Sequence, residues 1–455
     1  MHHHASIKLL VVDENEYNHF NSLTNMKAKL LSVLSIALLF LACSIQDSND
    51  LESLPTISNN LGSNIRSYEE ALSIAQASIP MLGQFSSKTR SAQTQRKIDL
   101  NDKKVFKLDS NEKTRANLNI NDTLIYVFNF EDNAGFALVS ASMNTEGLLA
   151  ITEQGYCDPN TPSGIEGFEM FKTMAKDYVI SASTPLRLPS EPIIETKDSI
   201  TYSYNTVGPY VIVKWGELYP EGEYCPNGVA GCTNVAMAQI MTYYCYPASI
   251  DLTYYGADIS TQTLDWTSMK AHTPGHQLYA CSTQETHKSI GRLLRQLGEM
   301  SNSEYQFNPS ATGTSSLIYV IPTLTALNYS CGNWNSYLGL YARAQLNNAH
   351  LFIVRGVRLN ENNIMVGHNW ILDGYNTITM TIRKMARTAT SGWFFTGEEI
   401  IENNYYLHFN WGWYGDCNGY FAEGVYNTAQ ALSYDTAIHT YNRNYINVSL
   451  LNVYH

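Results

Sequence analysis

The sequence predicts an α+β fold in which helices come first, strands follow, and two subdomains leave a cleft between them. Three observations carry this. Helical patterns near residues 231–246 and 284–299 precede strand patterns at Leu351–Val357, Gly367–Tyr375 and Asn404–Trp411. Tyrosine (31), tryptophan (7) and glycine (28) are abundant enough to suggest a β-rich protein rather than a helical bundle. With 44% hydrophobic and 15% charged residues, the chain is too apolar for disorder and too lightly charged for a long coiled coil. Its 455 residues allow two or three domains at roughly 150 residues each. A net charge of −12 with no Lys/Arg cluster argues against a nucleic-acid partner.

Taken in chain order, residues 1–42 read as upstream sequence and leader rather than structure. Met26 resembles a true start, with Lys27 and Lys29 before the apolar run Leu30–Ala42. That run is shorter than the roughly 20 residues a spanning helix needs. Phe40-Leu41-Ala42-Cys43 resembles a bacterial lipoprotein processing site, which implies lipidation of Cys43. Residues 43–65 then form a tether, and its acidic start (Asp47, Asp50, Glu52) resembles the surface-export tag of Bacteroides-type lipoproteins. The expected location is the outer membrane or cell surface, with Cys43 the only membrane link.

Residues 66–190 read as a small α+β domain. Ala71, Leu72, Ala75 and Ile79 have helical spacing behind Glu69 and Glu70. The polar stretch Ser86–Lys113 reads as a loop. Leu124–Phe130 and Gly135–Ser140 read as a hairpin closed by Glu131–Ala134, followed by a strand over Gly147–Thr152. Residues 180–200, with Pro185, Pro189 and Pro192, read as a linker in which Arg187 and Lys197 would be open to a protease.

Residues 191–455 hold the chemistry. Val235, Ala236, Ala238, Ile240 and Met241 make Gly231–Tyr246 a buried helix that Pro247 stops. Gln284–Glu299 is amphipathic through Ile290, Leu293, Leu294 and Leu297. Eight cysteines (43, 157, 225, 232, 245, 281, 331, 417) include no CxxC pair and no zinc spacing, so neither a metal nor a cofactor is expected, and disulfide connectivity stays open. Cys232 opens its helix, where the positive end of the helix dipole favours a thiolate. A thiol nucleophile needs a histidine beside it. His368 follows Gly367 on one strand; His408 shares a strand face with Asn410 and is a serious rival on geometry.

Gly231-Cys232-Thr233-Asn234-Val235-Ala236-Met237-Ala238-Gln239, then Gly367-His368, then Asn410-Trp411-Gly412-Trp413, resemble the streptopain family of papain-clan cysteine peptidases. The resemblance implies a papain-like two-subdomain catalytic domain, with Cys232 as nucleophile and His368, not His408, as base. It also implies that Asn410 orients the imidazole, that Trp411 shields that bond, and that Trp411 and Trp413 wall the site. The 66–190 region resembles the family's propeptide, which keeps the enzyme latent until it is cut. The implied function is an exported cysteine endopeptidase that forms a thioester on protein or peptide substrates. The resemblance further implies a hydrophobic residue at the second position N-terminal to the cut bond.

One position departs from the pattern. Where the family has a glutamine that donates to the oxyanion, this chain has Glu217, in Lys214-Trp215-Gly216-Glu217. An ionised Glu217 would oppose the developing charge. Three outcomes are open: a protonated Glu217 that donates, a neighbour that replaces it, or a weak or inactive peptidase-fold binding lipoprotein. Thr233, Cys225 and Tyr414-Gly415 are looser departures that bear on substrate pockets.

Overall fold

The computed structural model describes residues 65–82, 96–108, 123–181, 196–255, 260–272, 283–308, 311–336, 339–359, 365–386, 394–426 and 447–455. The leader, Cys43 and all of the tether except Ile65 lie outside these residues. The described part is α+β, as the sequence predicts, and none of its helices is long and apolar enough to cross a membrane.

Helix α1 (Tyr68–Ser78) starts at a capping box: the Ser67 hydroxyl accepts from Glu70 N, and Glu70 Oε2 accepts from Ser67 N at 2.8 Å. Each satisfies a backbone N–H that a helix start leaves open. Four strands follow: β1 (Ile98–Lys107), β2 (Thr123–Phe130), β3 (Phe136–Ser140) and β4 (Leu148–Thr152). The last three match the expected hairpin and third strand. β1 lies inside the stretch expected to be a loop. It is an edge strand that buries Ile98 and Phe106 while Lys103 and Lys107 face outward, and charge on an open edge discourages pairing with other chains.

Helix α2 (Glu166–Ser181) was not foreseen either; it buries Phe168, Phe171, Ala175 and Val179 at helical spacing. Strand β5 (Thr196–Val207) also corrects the expected linker, whose last five residues are already strand. Within 180–200, only 182–195 falls between described elements.

The buried helix is α3 (Cys232–Tyr244). It packs on the amphipathic helix α4 (Gln284–Met300) on one side and on strand β7 (Met365–Ala386) on the other. That explains why it is apolar all round. Strands β6 (Leu351–Leu359), β7, β8 (Phe394–Asn410), β9 (Gly419–Ala422) and β10 (Asn447–Tyr454) complete the architecture.

The N-terminal strands and these strands form one twelve-stranded sheet in the order β1-β2-β3-β4-β9-β8-β7-β6-β10, and the short strands Ser330–Cys331 and Asn335–Ser336 pair with β10. β5 pairs with the second half of β7. The joint is β4 against β9, with Ala150, Ile151 and Thr152 opposite Phe421, Tyr420 and Gly419. The N-terminal unit also shares a core with the rest: Phe171 of α2 stacks edge-on to Phe421 at 4.8 Å, and Phe168 lies 6.5 Å from Trp411.

Candidate active site

Cys232 is the first residue of α3, and its local geometry begins with Gly231. Gly231 has φ 88°, a conformation that penalises any side chain. A Cβ there would also sit 3.1 Å from Thr312. No side chain caps the helix, so its N-terminal field is directed at Cys232. Burial pushes the Cys232 thiol up, while donors from Asn369 and Thr233 pull it back down. The Asn369 backbone N–H donates to Sγ at 3.4 Å. Burial raises Cys157 to about 12 and, against a hydrogen bond with Tyr305, Cys225 to about 11. The six described cysteines are all unpaired.

Glu217 arrives from the segment before α3. Trp215, fully buried, anchors that segment by donating from Nε1 to the His272 carbonyl at 2.9 Å. The Glu217 carbonyl accepts from Ala230 N at 2.7 Å, which ties it to the loop before the cysteine. A Glu217 carboxylate oxygen, Cys232 Sγ and a His368 ring nitrogen all lie within 4.8 Å of one another. Burial and then the neighbouring Cys232 push the Glu217 carboxyl up to about 8, with His368 opposing. That direction favours the neutral acid, the form with a proton to donate. The three atoms are also near enough to meet one cation, although a thiol beside an imidazole suits acyl transfer without one.

His368 is buried on β7, and its Nε2 lies 2.9 Å from the Trp411 carbonyl oxygen. A carbonyl can only accept, so Nε2 is the donor here, and Nδ1 is the ring nitrogen left for proton exchange. The expected partner was Asn410, and the structure differs there. Asn410 Oδ1 already accepts from Gly412 N at 3.1 Å and Gln239 Nε2 at 3.3 Å, while its Nδ2 donates to the Val213 carbonyl at 2.9 Å. Asn410 thus braces the turn that carries the Trp411 carbonyl, and that carbonyl meets the imidazole. Trp411 itself is fully buried among Phe168, Trp370, Phe409 and Phe421, with Nε1 donating to the Cys417 carbonyl. Trp413 is half-buried against the same core.

The rival histidine has a different place. His408 is buried, with Nδ1 2.6 Å from Asp373 Oδ1 and Nε2 3.5 Å from Glu153 Oε1. Burial alone would lower its pKa, but the two carboxylates outweigh it and push it up to about 9. Asn369, Asp373 and Glu153 were missed in the sequence. Asn369 had one usable signal, its place directly after His368.

Residues 201–421 match the model of the peptidase C10 family, and residues 63–179 match that of the Spi protease inhibitor. A curated relative is the thiol protease/hemagglutinin PrtT of Porphyromonas gingivalis, 24% identical over 347 residues, covering 67% of this chain and 34% of that protein. The chain therefore spans about a third of that relative's length. Among solved structures, a Prevotella intermedia prointerpain A fragment is 17% identical, covering 76% of this chain and 98% of the fragment, with a TM-score of 0.46. Active wild-type interpain A cysteine protease from the same organism is 16% identical, covering 54% and 94%, with a TM-score of 0.35.

Proposed function

We propose, from the premise that residues 201–421 belong to the peptidase C10 family and 63–179 to the Spi protease inhibitor family, that this chain is a cysteine endopeptidase made as a latent zymogen. The observation that carries the reading is the meeting of Cys232, His368 and Glu217 within 4.8 Å, on three different segments of the chain.

His368 Nδ1 takes the Cys232 proton, and the thiolate attacks a peptide carbonyl. Glu217 in its neutral form and the backbone N–H of Cys232 donate to the oxyanion. As the tetrahedral centre collapses, His368 returns its proton to the leaving amine and a thioester remains. Water, deprotonated by His368, then hydrolyses the thioester and frees Cys232. Trp411 and Asn410 act through the imidazole: the first supplies its acceptor, and the second braces that acceptor. The reaction calls on protein groups alone. A protonated Glu217 removes the charge conflict that favoured a silent binding protein.

The domain plan is a leader and upstream sequence over 1–42, a tether over 43–65, a propeptide over 66–190 and the peptidase over 191–455. Cys43 carries the lipid that holds the exported protein at the outer membrane or cell surface. Substrates are proteins or peptides with a hydrophobic residue two positions before the cut bond.

The deciding experiment compares iodoacetamide labelling and peptide turnover of the processed protein with those of Cys232→Ala. Labelling at Cys232 above all other cysteines, with turnover lost in the variant, is expected. Preferential labelling elsewhere with Cys232 inert would remove the enzyme reading.

A further inference from the structure

Asn369 is buried on β7 beside the nucleophile, yet its side chain is not used by the sheet. Its Nδ2 donates to Thr233 Oγ1 at 2.8 Å and lies 3.9 Å from Cys232 Sγ, while its backbone N–H reaches the same sulfur at 3.4 Å. Its Oδ1 is buried without a hydrogen-bond partner in the structure. An orphaned buried carbonyl is costly. The amide is therefore oriented by what its NH2 group serves, not by its oxygen.

What the NH2 group serves is the sulfur and the hydroxyl next to it. A thiol hydrogen bonds weakly, whereas a thiolate is a charged acceptor and gains much more from a donor. Thr233 follows Cys232 in α3, so the Thr233–Asn369 bond ties the first turn of that helix to the strand that carries His368. Sγ is thus faced by Asn369 and His368 from β7, by Glu217 from the preceding segment, and by Thr233 from its own helix.

We infer that Asn369, clamped by Thr233, is a positioning residue that donates to Cys232 Sγ and favours its thiolate in line with His368. The inference rests on the peptidase reading and adds to it a residue pair that fixes the nucleophile's ionisation and placement.

The test is the pH dependence of iodoacetamide alkylation at Cys232 in the full chain, read by peptide mass mapping, with turnover measured after processing. Asn369→Ala is expected to move the alkylation midpoint upward by about 0.5–1 pH unit. It should lower kcat while leaving KM within about twofold, since a thiolate donor acts on the chemical step. Asn369→Asp removes the donor and adds a negative charge, so its midpoint should rise further. Thr233→Val removes the clamp and should give part of the Asn369→Ala shift; Thr233→Ser keeps the hydroxyl and should titrate like the parent.

An unchanged midpoint in both Asn369→Ala and Thr233→Val would overturn the inference and leave the peptidase reading standing. So would a Thr233→Ser midpoint that moves as far as that of Thr233→Val, because the methyl and not the hydroxyl would then matter. If Asn369→Ala fails to fold, the two Thr233 variants decide alone. Cys232 inert to alkylation across the whole pH range in the processed parent would instead remove the peptidase reading itself.

Discussion

His408 Nδ1 lies 2.6 Å from Asp373 Oδ1, and this buried pair separates the two histidines that the sequence left in competition. Asp373 Oδ2 also accepts from Val211 N at 2.8 Å, so the carboxylate is fully engaged. His408 is thereby a charged strut between β7, β8 and Glu153, while a ring nitrogen of His368 lies within 4.8 Å of the Cys232 sulfur.

Asp373→Asn should therefore destabilise the fold without abolishing Cys232 labelling. Leaving a buried charge without its partner typically costs about 3–5 kcal/mol. Thermal unfolding should show a clear drop in Tm, and a Tm unchanged from the parent would refute the strut.

The same network sets a pH window. His408 is raised to about 9, so its contribution is full below its ordinary value of 6.5 and is lost as pH climbs through about 9. For Glu153, burial acts to raise the pKa, but His408 and then Lys214 outweigh it and draw the carboxyl down to about 2. Its contribution is full above 4.5 and is lost as pH falls towards 2. Stability of the full chain against urea should peak between about 4.5 and 6.5 and decline on both sides. In Glu153→Gln the acid limb should flatten.

Glu217→Gln should raise turnover, most of all in alkali. The parent's donor is neutral below about 8 and ionises above it, whereas a glutamine donates at every pH. One unit above its pKa only about a tenth of a carboxyl is neutral, so the variant should lead by about tenfold near pH 9. Equal or lower activity across the pH range would show that Glu217 is not a defective oxyanion donor.

Gly167 of α2 touches the site from the N-terminal unit. A Cβ there would come 2.5 Å from Trp411 Cε3 and 3.0 Å from His368 Cδ2. Overpacking of this kind costs about 1–3 kcal/mol. In the unprocessed chain, Gly167→Ala should loosen α2 and speed alkylation of Cys232. An unaltered rate would mean that this contact does not control access.

Activation should cut between residues 182 and 195, because α2 runs to Ser181 and β5 begins at Thr196 in pairing with β7. N-terminal sequencing of the processed protein reads this directly. The absence of any cut between 170 and 215 would remove the zymogen reading.

How far the sequence revealed all this depends on how local each signal was. The α3 helix, the β2–β3 hairpin and the α1 helix are written in short-range patterns, and they emerged near their expected bounds. β1 is mostly polar and charged, and only its pairing with β2 makes it a strand. α2 has clear helical spacing, but it lies next to a stretch dominated by prolines. In the site, Cys232, His368 and Glu217 were named in advance, whereas the bond to the imidazole moved from Asn410 to its neighbour Trp411. That shift depends on Gln239, Val213 and Gly412 converging on one amide, which residue spacing alone does not reveal.

The seam between β4 and β9 changes what activation means. Severing the peptide chain leaves that ladder intact, along with the aromatic contacts of Phe168 and Phe171 and the Glu153–Lys214 ion pair at 3.5 Å. The first product of cutting should therefore be a nicked, two-fragment complex that stays closed. Activity should appear with the kinetics of dissociation, faster on dilution or once the N-terminal fragment is degraded, and added fragment should suppress it. Departure also bares β9 as a new sheet edge, with backbone donors and acceptors open to any extended strand that arrives next.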